Sequence, residues 1–423
     1  MSIPATHKAY CNILNKELLT ALGCTEPIAI AYAGAKARQV LGQTPQSVEV
    51  FGSGNVIKNT KSVIVPNTNG QKGIDTAVAA GVLFGNPDKR LEVLCDVTEE
   101  QKPQIAEFVK SGKITVKPAK NDKVFYISVT AKYQDQSATV VIEDAHTNVT
   151  EIYKNGIQQF KQDNHLDNAT DDPDYALLNV KDIVEFANNG DLTPVIDALN
   201  RQINLNFAIS QQGLTGQWGA GIGKIIAERM PFDPETMAIA SAAAGSDARM
   251  SGCEMPVVIV SGSGNQGMTA SLPVITYAKF YDVDEDKLLR ALVVSNLITI
   301  HQKRGIGKLS AYCGAVSAGV GSACGIAYLE GGDYDAIAHT TVNALAISSG
   351  IICDGAKPSC AAKIATSLYS ALLGYKMYKQ GKEFISGEGL VTKGVDKTIE
   401  NFGRLAKQGM KETDKEIIRM MTE

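Results

Sequence analysis

The hydrophobic period changes part-way along this chain, and that change limits the folds open to it. Between residues 46 and 145 apolar side chains recur at every second position, as in Ser47-Val-Glu-Val-Phe51, Val63-Ile-Val65, Leu91-Glu-Val-Leu94, Ile114-Thr-Val116 and Tyr126–Tyr133. A two-residue period places one face of a strand against a core. The last two of these segments, with Ala138–Asp144, predict an antiparallel meander. Helices are expected over 6–22, 28–41, 72–84 and 99–111. Beyond residue 175 nearly every segment up to 407 carries helical spacing, with strand signal returning only at Val257-Val-Ile-Val260. The fold class is therefore α+β: an N-terminal α+β domain with an antiparallel sheet, then a large, mostly α-helical domain. The expected divisions are residues 1–44, 45–165 and 175–423. The polar stretch Gln162–Asp174 is the expected boundary between the last two.

The chain has 423 residues, 41 basic and 45 acidic side chains, and a net charge of −4. That balance lacks the basic stripe of a nucleic-acid binder, so no nucleic-acid partner is expected. Residues 288–300 form the longest apolar stretch, but Arg290, Ser295 and Asn296 interrupt it, and it is too short to span a bilayer. No membrane partner is expected, and the start of the chain shows no signal core. The expected location is cytoplasmic. The Ala/Gly-rich helices suit packing between identical chains as well as within one.

Eight cysteines in a reducing compartment argue for core packing or chemistry rather than disulfides. Cys11, Cys95, Cys253 and Cys324 sit among apolar or small residues and read as buried filler. The other four stand beside turn residues. Cys353-Asp-Gly-Ala-Lys-Pro-Ser-Cys360 holds two thiols on a Gly/Pro turn entering a helix, and Cys313 lies in Ser310-Ala-Tyr-Cys-Gly-Ala315. Thiolates are soft ligands that select iron–sulfur clusters, zinc or Cu(I). A three-cysteine set suits a cluster with one iron left open to substrate. Cys24, in Gly23-Cys-Thr-Glu-Pro27, stands at a helix start, where the dipole is expected to lower its pKa toward the range of a general base.

Several motifs occur together: Gly23-Cys-Thr-Glu-Pro27, Ser53-Gly-Asn-Val-Ile-Lys-Asn59, Val65-Pro-Asn-Thr68, Lys303-Arg-Gly-Ile-Gly307 and the two cysteine segments above. On these the chain resembles the L-cysteine desulfidase family, itself similar in its second half to the α subunit of iron–sulfur L-serine dehydratases. The resemblance implies a [4Fe–4S] cluster on Cys313, Cys353 and Cys360, with Cys24 as proton acceptor. It implies α,β-elimination of a small amino acid, L-cysteine or alternatively L-serine. The serine dehydratases place more residues between the last two cysteines than this chain does.

Ser53, Asn55, Lys58, Asn67 and Thr68 are the substrate-binding candidates, because their loops combine glycine with amide, hydroxyl or ammonium groups. His146 and His301 read as structural histidines. The Ser263-Gly-Asn265 loop is similar in character to those candidate loops, and it also resembles a loop of pyridoxal-phosphate dehydratases. That alternative requires a Schiff-base lysine and a phosphate loop, for which no convincing pair is present. A zinc-stabilised non-enzymatic protein is the remaining alternative, and it has only the Cys353/Cys360 pair to build on.

Overall fold

The computed structural model describes residues 5–162, 172–228, 233–307 and 309–422. Most of the polar stretch expected as a boundary falls on residues 163–171, outside the described residues. The fold class is α+β as expected: strands gather in the first half, and the second is almost wholly helical.

Among the described residues eight strands are present: β1 Thr20–Leu22, β2 Ser47–Gly52, β3 Ile114–Pro118, β4 Tyr126–Tyr133, β5 Gln136–Glu143, β6 Val149–Lys154, β7 Ile157–Lys161 and β8 Pro256–Val258. Six of them form one sheet in the order β3-β2-β4-β5-β6-β7. β4 and β5 pair antiparallel as expected, and β6 and β7, not read as strands from the sequence, continue the meander. β3 departs from it: this strand pairs parallel with β2, which lies between β3 and β4. The Lys102–Lys110 helix precedes β3 and provides the crossover that a parallel pair needs. Alternate residues of β2 are buried, including Val48 and Val50, and the Thr25–Leu41 helix packs on the sheet at β4 and β5.

Three local expectations fail for identifiable reasons. The helix expected over 6–22 is Ala5–Glu17, because residues 20–22 leave it to form β1 and pair antiparallel with β8. A tertiary partner overrides local periodicity there. Residues 91–97 are not a strand: Pro87–Glu92 is a short 3-10 turn, and Cys95 is exposed, with its Sγ 3.3 Å from Lys89 Nζ. Only a single bridge, Ile64 to Lys72, forms where a strand was read at 63–65. Two further helices, Gly54–Thr60 and Lys411–Thr422, lie where none was expected, and they pack on each other.

The Gly314–Leu329 helix is buried along almost its whole length, between the helices Glu285–Ile306, Gly264–Phe280, Tyr334–Ile347 and Cys360–Lys379. Such a position demands small side chains. A Cβ at Gly321 would come within 2.1 Å of Thr299 Oγ1, so glycine sets how closely the two helices approach. Among the described residues no helix is long and apolar enough to cross a membrane.

Candidate functional site

Four helices begin at one cavity of about 110 Å³. Cys24 is the N-cap of Thr25–Leu41, Ser263 of Gly264–Phe280 and Cys313 of Gly314–Leu329, while Cys360 is the first residue of Cys360–Lys379. All four residues line the cavity, and so does Cys353. Helix N-termini carry unpaired N–H groups and partial positive charge, so their convergence favours thiolates and bound anions.

A short backbone bridge sets Cys313 beside Cys353. The Cys313 N–H donates to Ile351 O at 2.9 Å and the Cys353 N–H to Ala311 O at 2.7 Å, around the isolated pair Tyr312 and Ile352. Gly355 then turns the chain with φ of +91°, and a Cβ there would meet Lys58 O at 2.5 Å. Only glycine satisfies both conditions. Within this turn Cys360 Sγ donates to Gly355 O at 3.8 Å.

The thiols of Cys313 and Cys353 are hydrogen-bonded. This bond and burial push Cys313 up, whereas the same bond and the charges of Lys58 and Lys363 hold Cys353 down. Burial raises Cys360, against the opposing influence of Lys357. Among the described residues no group of three or more Cys, His, Asp or Glu is arranged to hold a single metal ion. A cubane cluster takes one thiolate per iron corner rather than three on one centre. Three thiols and a helix-terminus field fit that demand in chemical type, while the Cys313–Cys353 contact would have to open.

Cys24 occupies the expected helix start, but its pKa moves the other way. It is buried against Val63 and Met250, and its Sγ donates to Glu26 Oε2 at 3.4 Å. Burial and the Glu26 charge raise the thiol, and these outweigh Arg249 and the helix terminus. Burial also works to raise Glu26, but His146 and the surrounding donors hold it at about 2. Asn59 Nδ2 donates to its Oε1 at 3.1 Å, Thr25 Oγ1 to its Oε2 at 3.1 Å, and His146 Nε2 lies 3.8 Å from Oε1.

Of the substrate-binding candidates, Lys58 lines the cavity, with its Nζ 2.6 Å from Asp414 Oδ1. Ser53, Asn55, Asn67 and Thr68 do not line it. Ser53 Oγ donates to Val124 O, Asn55 Nδ2 to Asp414, Asn67 Nδ2 to Leu94 O and Thr68 Oγ1 to Val65 O. These side chains hold loops together. The cavity instead recruits residues the sequence reading passed over: Glu26, Arg249, Gln266, Lys303 and Tyr312, with His146 beside them. Among the described residues His146 Nε2, Arg249 Nε, Gln266 Oε1 and Tyr312 Oη are buried there without a hydrogen-bond partner, as expected of groups that can receive a ligand. Lys303 had a signal in its glycine-flanked motif, whereas Arg249 ends an alanine-rich helix that gave none. His301 pairs with Asp396 at 2.8 Å and does not line the cavity.

The family model for the serine dehydratase alpha chain matches residues 88–419. A UPF0597 protein of Desulfitobacterium hafniense is 53% identical, with 98% of this chain and 96% of the relative covered. One from Lachnoclostridium phytofermentans is 46% identical over 98% and 99% of the two chains. One from Bacteroides thetaiotaomicron is 37% identical over 99% of each. With the model matching well over half its length, the chain belongs to the serine dehydratase alpha chain family.

Proposed function

We propose that this chain is a [4Fe–4S]-dependent lyase that converts L-cysteine to pyruvate, ammonia and hydrogen sulfide, with L-serine, which would lose water, as the alternative substrate. The family match supports a lyase of the serine dehydratase type. The convergence of Cys24, Cys313, Cys353 and Cys360 on one small cavity carries the reading.

In this proposal Cys313, Cys353 and Cys360 hold the cluster. When bound, such a cluster supplies a Lewis-acidic iron with one position not filled by cysteine. Cys24 Sγ takes the α-proton as its own proton passes to the Glu26 carboxylate to which it is hydrogen-bonded. Its buried setting makes the thiolate a strong base once formed, and the adjacent Arg249 charge favours that thiolate. Loss of the Cα proton and the β-thiol leaves an enamine, which tautomerises and hydrolyses to pyruvate and ammonia. The small cavity restricts water around the reacting carbon.

The test is anaerobic purification followed by iron and sulfide counting, absorbance before and after exposure to air, and pyruvate release from each amino acid. A brown absorbance that bleaches in air, with faster turnover of L-cysteine, is expected. Protein without iron or sulfide that releases no pyruvate would reject the assignment. A higher kcat/KM for L-serine would reassign the substrate alone.

A further inference from the structure

Among the described residues three cations line the cavity that holds the four cysteines: Lys58, Arg249 and Lys303. Two of them already bond within the chain, Arg249 through its Nη atoms while its Nε has no partner among the described residues. Lys58 pairs with Asp414 at 2.6 Å. Arg249 Nη1 donates to Asn265 Oδ1 at 3.1 Å and Nη2 to Gly23 O at 2.8 Å, bonds that hold the Cys24 turn against the Ser263 loop. Lys303, in the last turn of Glu285–Ile306, is buried and has neither a hydrogen bond nor an ion pair among the described residues. An ammonium withdrawn from water without an acceptor is strongly disfavoured. Cys353, Cys313 and Glu17 face this ammonium without a hydrogen bond to it, so its N–H donors stay open to an anion that arrives from outside the chain.

The position of Lys303 indicates which anion. A second cavity of about 330 Å³ adjoins the first, and the two share Ser261, Lys303, Leu309 and Ser310. Val124, Phe125, Ile306 and Met410 give the larger cavity apolar walls, and among the described residues Lys303 is the only cation common to both. A ligand passing from the wide chamber toward the thiols therefore meets this ammonium at the junction.

We infer that Lys303 receives the α-carboxylate of the amino-acid substrate, which leaves Cα and Cβ facing the cysteines. The inference rests on the lyase reading for its substrate. It makes the site selective for free α-amino acids over their amides and esters, because only a carboxylate supplies the missing charge. The carboxylate contact orients the substrate and takes no part in the proton transfer.

The decisive experiment compares iron-loaded wild type with Lys303→Met and Lys303→Arg. Calorimetric binding of L-alanine and L-alaninamide, neither of which has a leaving group, reads the contact without turnover. Lys303→Met should bind L-alanine ~10–100-fold more weakly, the loss of one charge-assisted hydrogen bond, and should bind the amide unchanged. Lys303→Arg should recover part of the difference, and both variants should keep their iron. Equal loss for acid and amide, loss of iron, no change, or a wild type that does not favour the acid would each overturn the inference. Failure of the lyase reading appears separately, as wild type that binds L-alanine but releases no pyruvate from L-cysteine or L-serine.

Discussion

Cys313 and Cys353 lie side by side because two backbone hydrogen bonds, Cys313 N–H to Ile351 O and Cys353 N–H to Ala311 O, clamp the segments that carry them. The clamp is independent of the sulfur atoms, so the thiols are brought together before any ligand arrives. Cys360 then comes from the next turn, at the head of its own helix.

Replacing Cys313, Cys353 or Cys360 with Ala should abolish iron binding. Cys324→Ala should leave iron content unchanged, since that thiol is buried inside a helix against Thr341. Cys24→Ala should keep iron and lower kcat by at least ~100-fold, the usual contribution of a positioned general base. Iron content by elemental analysis beside single-substrate kinetics checks both statements.

Gly355→Ala should destabilise the cysteine turn by about 1–2 kcal/mol from its left-handed backbone alone, with a further loss from contact with Lys58 O. The expected result is reduced iron occupancy with an unchanged far-ultraviolet circular dichroism spectrum. Full occupancy would show that the turn tolerates a side chain.

Lys58 and Asp414 form an ion pair whose lysine side chain is only 1% exposed. Asp414→Ala strands that ammonium and should cost about 3–5 kcal/mol. The double variant Lys58→Met/Asp414→Ala removes both charges and should recover much of the loss. Denaturant unfolding of wild type, both single variants and the double variant gives the coupling directly.

Asp247 is fully buried, with one oxygen accepting from Gly223 N–H at 2.9 Å and the other without a partner among the described residues. Burial raises its carboxyl from 3.8 to about 6, against the opposing backbone bonds. The folded chain thus holds this proton more tightly than the unfolded chain does. Its stabilising contribution is complete below pH 3.8 and is lost as pH rises through 6. Asp247→Asn should therefore raise stability near pH 7 by about 2 kcal/mol, and the advantage should vanish near pH 4. Melting curves across that range test the sign.

The periodicity made the α+β class legible, along with most of the helices beyond residue 175. Cys24, Cys313 and Cys360 stood out because turn residues and helix starts are local features. Local signals failed where a distant partner decided the outcome. Residues 20–22 became a strand only because β8 lies beside them, and β2 entered the sheet between β3 and β4.

The cavity lining shows the same division more sharply. Ser53, Asn55, Asn67 and Thr68 looked like ligand groups because their residue types suit ligands, yet each makes a hydrogen bond inside the protein, although Asn55 Oδ1 has no partner among the described residues. Arg249 carried no local mark and Gln266 only its place in the Ser263 loop, and folding set both in the lining with the thiols. The direction of the Cys24 shift was also hidden, since burial and Glu26 act through space. Sequence alone specified which side chains own useful chemistry. Tertiary structure decided which of them remain unsatisfied, because satisfaction depends on neighbours that come from elsewhere in the chain.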